Sequence, residues 1–385
     1  MDINKLEKYA DTLFNNISGW ETDSLIRIAK RIKLIGEMSP ADVSLINNSN
    51  LAKQDFDAIM KELAKLTKQN ISDIEKMYSD VFTDYHLDNQ SLYDYRKIKF
   101  IPFAENQELQ AIIKAYVKTS AETMINISQT KSLCVIDSLG NTTRVQEAIY
   151  NAFSKATMSV ATGTTDFNSA MRDTISELGG SGMRINYGNL TRRLDSVVRQ
   201  NLLWGAKQAS IEYAEYIKNE LGCDGYEIDW HNNPRPSHEF MQGKQYVIGE
   251  SRTINGIHFE SFSKAEAKLQ DYGCLHFATP IICGISEPVY SDAELERMNA
   301  QNKKTYKISD KEVTGYEAKQ MMRKLETAIR NQKSIKVTAA AGGMNTQAND
   351  CDVKINALQK KYDEICNITG FKPETNRLTI VRKKS

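Results

Sequence analysis

The chain has 385 residues, enough for two or three domains of about 100–200 residues each. Apolar residues make up 41% and charged residues 26%, a mixture that favours long exposed helices, and the formal net charge of +1 excludes a general attraction to DNA or anionic membrane. The sequence shows no apolar leader, no membrane-length apolar run and no CxxC pair among its six cysteines. We therefore expect a soluble protein without a signal peptide, a membrane segment or a finger-type zinc site, made in a reducing cytoplasm.

The N-terminal third indicates a series of helices. Ser39-Pro40 is typical of a helix start, because proline fits the first helical turn. Ile101-Pro102-Phe103 interrupts the series, and a longer helix is predicted over residues 105–129. Apolar residues recur at steps of three and four, the period of one helical face, at Leu6, Tyr9, Leu13 and Ile17 and again at Ile59, Leu63 and Leu66.

The middle of the chain predicts three more helices. Two lie within residues 142–178 and are separated near Gly163. Three glycines within residues 177–182 predict a helix break and a flexible turn, because this segment lacks the sequence context of a phosphate-binding loop. The strongest apolar stripe then predicts a helix over residues 190–221, with Gly222 as its C-cap.

The C-terminal part predicts a small strand region followed by two helices. Residues 226–230 alternate in the manner of a strand, and Asn255-Gly256 is typical of a hairpin turn. Amphipathic helices are predicted over residues 316–333 and 345–368, joined by a small-residue linker at 338–343 as an antiparallel hairpin. The buried side of the second helix is predicted to carry Val353, Leu358, Tyr362 and Ile365.

Histidines are concentrated in one part of the sequence, and three of them stand in two short motifs. These motifs are His231-Asn-Asn-Pro-Arg-Pro-Ser-His238-Glu-Phe-Met-Gln242-Gly243 and Tyr272-Gly-Cys274-Leu-His276. Alternate residues of an extended segment point to the same side, so the thiol and the imidazole of the second motif can act together. The candidate site residues are His231, Arg235, His238, Gln242, Gly243, Cys274 and His276.

The first motif is predicted to be a stiff loop. Pro234 and Pro236 exclude a regular helix and fix the backbone at low entropic cost. Between them, Arg235 offers a planar bidentate donor, and we expect it to clamp a carboxylate such as Glu227 or Asp229.

Three interpretations of these residues stay open. Four of them could bind one metal ion, most plausibly zinc; they could form a hydrogen-bonded network without metal; or a histidine could act as general base in a metal-assisted nuclease or other hydrolase. We favour the network, since the spacing differs from that of fingers and HExxH sites. No cofactor is certain and zinc is the candidate, with His231, His238, Cys274 and His276 as ligands.

The same motifs resemble the phage minor capsid protein 2 family, which is related to the Mu F-like head morphogenesis proteins. The resemblance rests on His231, Arg235-Pro236-Ser-His238, Gln242-Gly243 and Tyr246, then on Cys274-Leu-His276, Pro280, Gly284 and Ser286, and on the Tyr-Glu-Ala pattern over residues 316–333. Leu275 stands where the family has an arginine. The resemblance covers roughly residues 110–380.

The resemblance implies a low-copy head protein of the virion, associated with the portal and acting in head assembly or genome delivery. Portal and major capsid proteins are the implied partners, with phage DNA limited to a few contacts by the near-neutral charge. The implied location is the virion after synthesis in the host bacterial cytoplasm. We predict no enzymatic activity; the alternative is a metal-dependent nuclease or hydrolase acting on nucleic acid. The residues after His276 indicate a helical hairpin rather than the ADP-ribosyltransferase-like tail seen in some relatives.

The predicted fold is mainly α, with long amphipathic helices flanking a compact α+β module of His, Cys and Arg loops and strands. Four regions are predicted: an N-terminal helical docking region (1–130), a helical region ending in a long helix (131–222), the small α+β module (223–290), and a C-terminal helical hairpin and tail (291–385).

Overall fold

The computed structural model describes residues 1–129, 133–137, 139–163, 166–188 and 190–380. Its helices are α1 (Ile3–Gly36), α2 (Pro40–Val43), α3 (Asn48–Leu87), α4 (Gln90–Arg96), α5 (Gln107–Gln129), α6 (Val145–Thr162), α7 (Phe167–Ser181), α8 (Leu194–Leu221), α9 (Ser263–Leu269), α10 (Asp292–Asn302), α11 (Gly315–Ala341), α12 (Asn345–Thr369) and α13 (Thr375–Leu378). Its strands are β1 (Leu133–Ile136), β2 (Thr142–Arg144), β3 (Arg184–Asn186), β4 (Thr191–Arg193), β5 (Gly225–Ile228), β6 (Gln245–Val247), β7 (Arg252–Ile254), β8 (Ile257–Ser261), β9 (Ala278–Ile281), β10 (Thr305–Ile308) and β11 (Lys311–Thr314). The predicted fold class, mainly α with a small α+β module, is confirmed.

The described chain divides into two compact units that are not contiguous in sequence. Unit 1 contains residues 1–10, 71–123 and 200–320, and unit 2 contains residues 11–70, 124–199 and 321–385. Helices α1, α3, α5, α8 and α11 each contribute residues to both units. The four regions proposed from the sequence stay a prediction.

The main sheet of unit 1 holds the motif segments. Its strand order is β7-β8-β6-β5-β9, with β6 and β8 parallel and the other neighbours antiparallel. All four residues of β5 are buried, and Tyr226 lies opposite Tyr246 on one side and Pro280 on the other. Proline is compatible with β9 because this strand lies at the edge of the sheet.

A hydrophobic cluster under this sheet fixes the segments that carry the two motifs. Burial of these apolar side chains supplies the main driving force for folding the module. One motif residue, Cys274, belongs to the cluster itself, which comprises Ala214, Tyr226, Ile228, Met241, Tyr246, Phe262, Ala265, Leu269 and Cys274.

Several local predictions are confirmed. The hairpin between β7 and β8 turns at Asn255 and Gly256, both with positive φ (50° and 82°), as a tight two-residue turn requires. Gly163 and Gly222 follow the ends of α6 and α8 with φ of 62° and 61°.

Apart from these local features, none of the described helices is long and apolar enough to cross a membrane.

The predicted helix break falls at the last glycine of the segment, Gly182, and not at Gly179 or Gly180. Helix α7 continues through Gly179 and Gly180 and ends only at Ser181, before Gly182 with φ of 65°. A Cβ at Gly179 would lie 2.9 Å from Cγ1 of Ile335, so the missing side chain admits close packing by α11. Close packing, rather than flexibility, explains this glycine.

Two predictions for the C-terminal helices also need correction. Helix α11 continues through Ala341, because the predicted linker is rich in alanine, a strong helix former, and only Gly342 and Gly343 follow it. In α12, Tyr362 and Ile365 are buried as predicted, but Leu358 is only half-buried and Val353 is 71% exposed.

Unit 2 contains a buried ion network that the sequence analysis missed. Arg193 Nη2 is 3.3 Å from Glu21 Oε1 and 3.2 Å from Asp195 Oδ2, and Arg330 Nη1 is 3.0 Å from Asp195 Oδ2. Two carboxylates face two guanidinium groups, so the buried charges balance. Arg193 and Asp195 are near each other in sequence, but Glu21 and Arg330 are distant from them, so no local pattern could have joined the four residues.

Candidate functional site

Three of the candidate residues meet inside unit 1. His238 lies in a single 3-10 turn, Pro236–His238, and Cys274 and His276 lie between α9 and β9. One nitrogen of each imidazole and the Cys274 sulfur lie within 4.8 Å of one another, and all three side chains are buried. We refer to His238, Cys274 and His276 as the His/Cys cluster.

Gln242 fixes the tautomer of His276, that is, which ring nitrogen carries the hydrogen. Its Oε1 accepts the backbone N–H of His231 at 3.1 Å and lies 3.1 Å from Nε2 of His276. Since the backbone amide can only donate, the Gln242 atom is an acceptor, and Nε2 of His276 must carry the hydrogen. Nδ1 of His276 therefore carries the lone pair and accepts the S–H of Cys274, with Sγ 3.6 Å away.

Burial keeps the Cys274 and His276 side chains neutral. Burial raises the pKa of the Cys274 thiol, opposed by the nearby Lys207 ammonium. Burial, followed by the charge of His231, lowers the pKa of His276 to about 3. At neutral pH the cluster therefore offers an unprotonated imidazole nitrogen beside a thiol.

His238 has an acidic partner. Its Nε2 lies 3.1 Å from Oδ2 of Asp271, and burial lowers its pKa even though the Asp271 hydrogen bond opposes this. The hydrogen bond with His238 lowers the pKa of the Asp271 carboxyl. An ionised carboxylate only accepts, so Nε2 of His238 donates and its Nδ1 carries the lone pair.

His231 lies beside the His/Cys cluster but is not part of it. Its Nε2 is 2.9 Å from Oδ2 of Asp229, and its ring centroid is 4.3 Å from that of His276. Asp229 also accepts the backbone N–H of Phe277 at 2.7 Å, which joins the end of β5 to the start of β9. Burial raises the pKa of Asp229, but the His231 charge and hydrogen bond outweigh this and lower it overall.

Arg235 has a different partner from the one expected. Its Nη2 donates to the carbonyl oxygen of Tyr272 at 3.1 Å. Two carboxylates were proposed as its partner. Glu227 instead accepts a hydrogen bond from Nε2 of Gln245 at 2.9 Å, and Asp229 is hydrogen-bonded to His231 and to the backbone N–H of Phe277. Arg235 therefore ties the first motif to the second through the backbone.

Gly243 has a conformational role. Its φ is 70°, and its N–H donates to the carbonyl oxygen of Ile228 at 2.8 Å. A Cβ at this position would lie 2.4 Å from Cδ1 of Leu295. Only glycine meets both conditions without strain. His258, the remaining histidine of this part of the chain, is exposed on β8 and away from the cluster.

Two functional neighbours escaped the sequence analysis. Lys207 is 1% exposed, donates a short hydrogen bond to the carbonyl oxygen of His276, and lies 5.1 Å from the ring centroid of Phe277. Its spacing from Leu203 and Ala214 on α8 is helical and could have indicated burial. Asp271 carried no signal beyond its proximity to Cys274 in sequence.

Chemically, the arrangement is a closed set of potential metal ligands held by hydrogen bonds. His238 is 1% exposed, Cys274 2% and His276 3%. A polymer substrate has no access to side chains buried to this extent. The geometry therefore favours binding or stabilisation over catalysis on a macromolecule.

These features describe a mainly helical protein that carries a buried His/Cys cluster in a small α+β module. A family model described as phage minor capsid protein 2 matches residues 2–367. The chain belongs to this family, which confirms the resemblance seen in the motifs. Comparison with curated proteins and with solved structures found no significant match.

Proposed function

We propose that this phage minor capsid protein is a low-copy virion component that associates with the portal and acts in head assembly or genome delivery. The observation that carries the proposal is the family match over residues 2–367, which includes both the helices and the His/Cys cluster. Portal and major capsid proteins are the proposed partners, and phage DNA makes at most a few contacts. The protein is made in the host bacterial cytoplasm and ends in the virion.

We further propose that the protein acts without catalysis. The buried His/Cys cluster supports this, because a nuclease must bring a phosphodiester within reach of its ligands or base. Incubating the purified protein with DNA and RNA in the presence of Mg²⁺, Mn²⁺ or Zn²⁺ tests the point. We expect no cleavage; metal-dependent cleavage that is lost in His238→Ala would establish the hydrolase instead.

The role in the virion is tested in a phage with a stop codon in this gene. Purified particles from the wild type should contain the protein in few copies, measured by quantitative mass spectrometry. Absent or aberrant heads in the mutant would assign the protein to assembly. Full heads that bind cells without delivering DNA would assign it to delivery. Normal heads with normal infectivity would contradict both.

Portal contact is best tested on exposed apolar side chains of the predicted N-terminal docking region. Leu45, after α2, is 84% exposed. A Leu45→Asp substitution should leave the fold unchanged but reduce co-purification with the portal, because a charge replaces an apolar contact. Leu139 is also 84% exposed and lies outside that region, so Leu139→Asp is the matched control. Equal capture of both variants and wild type would contradict docking through this surface.

A further inference from the structure

We propose that His238, Cys274 and His276 bind one Zn²⁺ ion, with water as the fourth ligand. The proposal does not depend on the role of the protein in the virion. It goes beyond the structural network because it makes ligands of two imidazole nitrogens, of which Nδ1 of His276 has only the weak thiol donor of Cys274 as its partner.

The geometry of the cluster is close to that of a zinc site. With Zn–S of about 2.3 Å and Zn–N of about 2.05 Å, a tetrahedral ion separates sulfur and nitrogen by roughly 3.6 Å. Sγ of Cys274 and Nδ1 of His276 are 3.6 Å apart. All three ligand atoms lie within 4.8 Å of one another, so small side-chain movements suffice to close the set around an ion.

The hydrogen bonds behind the two imidazoles are those expected for metal ligands. Metal-binding histidines usually donate their other N–H to a carboxylate, a carbonyl or water, which fixes the ring and its tautomer. Here Nε2 of His276 donates to the Gln242 amide oxygen, and Nε2 of His238 donates to Asp271. Both rings are therefore left with Nδ1 as the nitrogen that can bind an ion.

Acidic groups beside the cluster are compatible with a divalent cation. On binding zinc the Cys274 thiol releases its proton to solvent, and the resulting thiolate joins the carboxylates of Asp229 and Asp271. Nearby basic groups include the buried Lys207 and also Lys268, whose Nζ is 3.5 Å from Oδ2 of Asp271.

The ion would connect two segments of the chain. His238 belongs to the proline-stiffened loop after β5, whereas Cys274 and His276 precede β9. The present links between these segments are the His238–Asp271 and Arg235–Tyr272 hydrogen bonds, together with the contacts of Gln242. Coordinate bonds to zinc would add a further link between the same two segments, through their buried side chains.

The first test uses the full-length wild-type protein, so it does not depend on the folding of a variant. Elemental analysis after purification without chelator should find about one zinc per chain, as expected for a single site. After chelation, the folded apo-protein should take up Co²⁺ with a thiolate-to-cobalt charge-transfer band and the visible bands of a tetrahedral site. A folded wild type with no zinc and no cobalt band would overturn the proposal.

Variants then assign the ligands. Cys274→Ser should abolish the charge-transfer band, whereas Cys283→Ser, at a buried cysteine of the same sheet region, should keep it. His238→Gln and His276→Gln should lose zinc, and His258→Gln should retain it. His231→Ala should also retain about one zinc, since three ligands are proposed. A charge-transfer band that survives in Cys274→Ser, or zinc loss in His231→Ala, would overturn the three-ligand assignment.

Discussion

His86 and His276 are both buried in unit 1, at 1% and 3% exposed, yet their ring nitrogens have different partners. For His86, Nε2 donates to the carbonyl oxygen of Ile101 at 2.8 Å, and Nδ1 is 2.9 Å from the Tyr213 hydroxyl. The ring also stacks on Phe100 with centroids 4.7 Å apart. Each ring nitrogen is hydrogen-bonded to an oxygen atom, so no lone pair is left to bind an ion.

His276 has one strong partner and one weak partner. Gln242 binds Nε2, but Nδ1 faces the Cys274 sulfur at 3.6 Å, and a thiol is a poor hydrogen-bonding group. The Gln242 amide adds a second unmet group, because its buried Nε2 has no hydrogen-bond partner among the described residues. The comparison shows that burial alone does not define a site. What distinguishes the two histidines is whether the second nitrogen is satisfied.

The largest effect is expected from His86→Ala, which tests the structural half of the comparison. It opens a cavity among aromatic rings and leaves the Ile101 carbonyl unpaired, so the free energy of unfolding should fall by about 3 kcal/mol. The loss, measured by urea denaturation, should be the same with added zinc and with chelator. His258→Ala, on the exposed side of β8, should change stability by less than about 0.5 kcal/mol. If the loss of stability in His86→Ala depended on zinc, the proposed difference between His86 and His276 would be wrong.

A smaller effect is expected from Gln242→Ala, which tests the other half. The substitution removes the acceptor of the His231 N–H and of His276 Nε2, and should lower the free energy of unfolding by about 1–3 kcal/mol. In addition, zinc affinity should fall roughly 10–100-fold, because the ring of His276 loses its orientation. Competition with a chromophoric chelator measures this, and Gln270→Ala, at an exposed glutamine, is the control. Unchanged zinc affinity would contradict an orienting role for Gln242.

The smallest effect is the contribution of His86 to the pH dependence of stability, which His238 and His276 share because burial lowers the pKa of all three. Burial lowers the pKa of His86, so below about pH 6.5 the unfolded chain binds a proton that the folded protein resists. Stability from this group is therefore present above the unfolded pKa and is lost as the pH falls below it, by at most about 1.4 kcal/mol per pH unit. His86→Gln, which keeps an amide beside both partners, should show a shallower decline between pH 6.5 and 5 than the wild type. Parallel profiles would assign the decline to other groups.

Local features of the sequence were enough to predict much of the backbone. The period of three and four residues gave the helices within α1, α3 and α8, and the φ preference of glycine gave the turn at Gly256 and the helix end at Gly222. The proline-containing motif and the Cys-x-His motif hold the three residues that lie together in the His/Cys cluster. These features depend on interactions between residues that are near one another in the chain.

Partner choice was decided by the tertiary structure. His86 pairs with Tyr213 and Lys207 with the His276 carbonyl, and Arg193 pairs with Glu21, across separations that no local pattern spans. The same holds for Gly179 of α7, which is explained by the approach of Ile335 rather than by flexibility. The sequence by itself determined where helices, turns and candidate ligands lie, because backbone preferences and hydrophobic period act over a few residues. Only the tertiary structure decided which buried imidazole nitrogen has a strong hydrogen-bond partner and which has only a weak thiol donor, because that depends on the packing of distant segments.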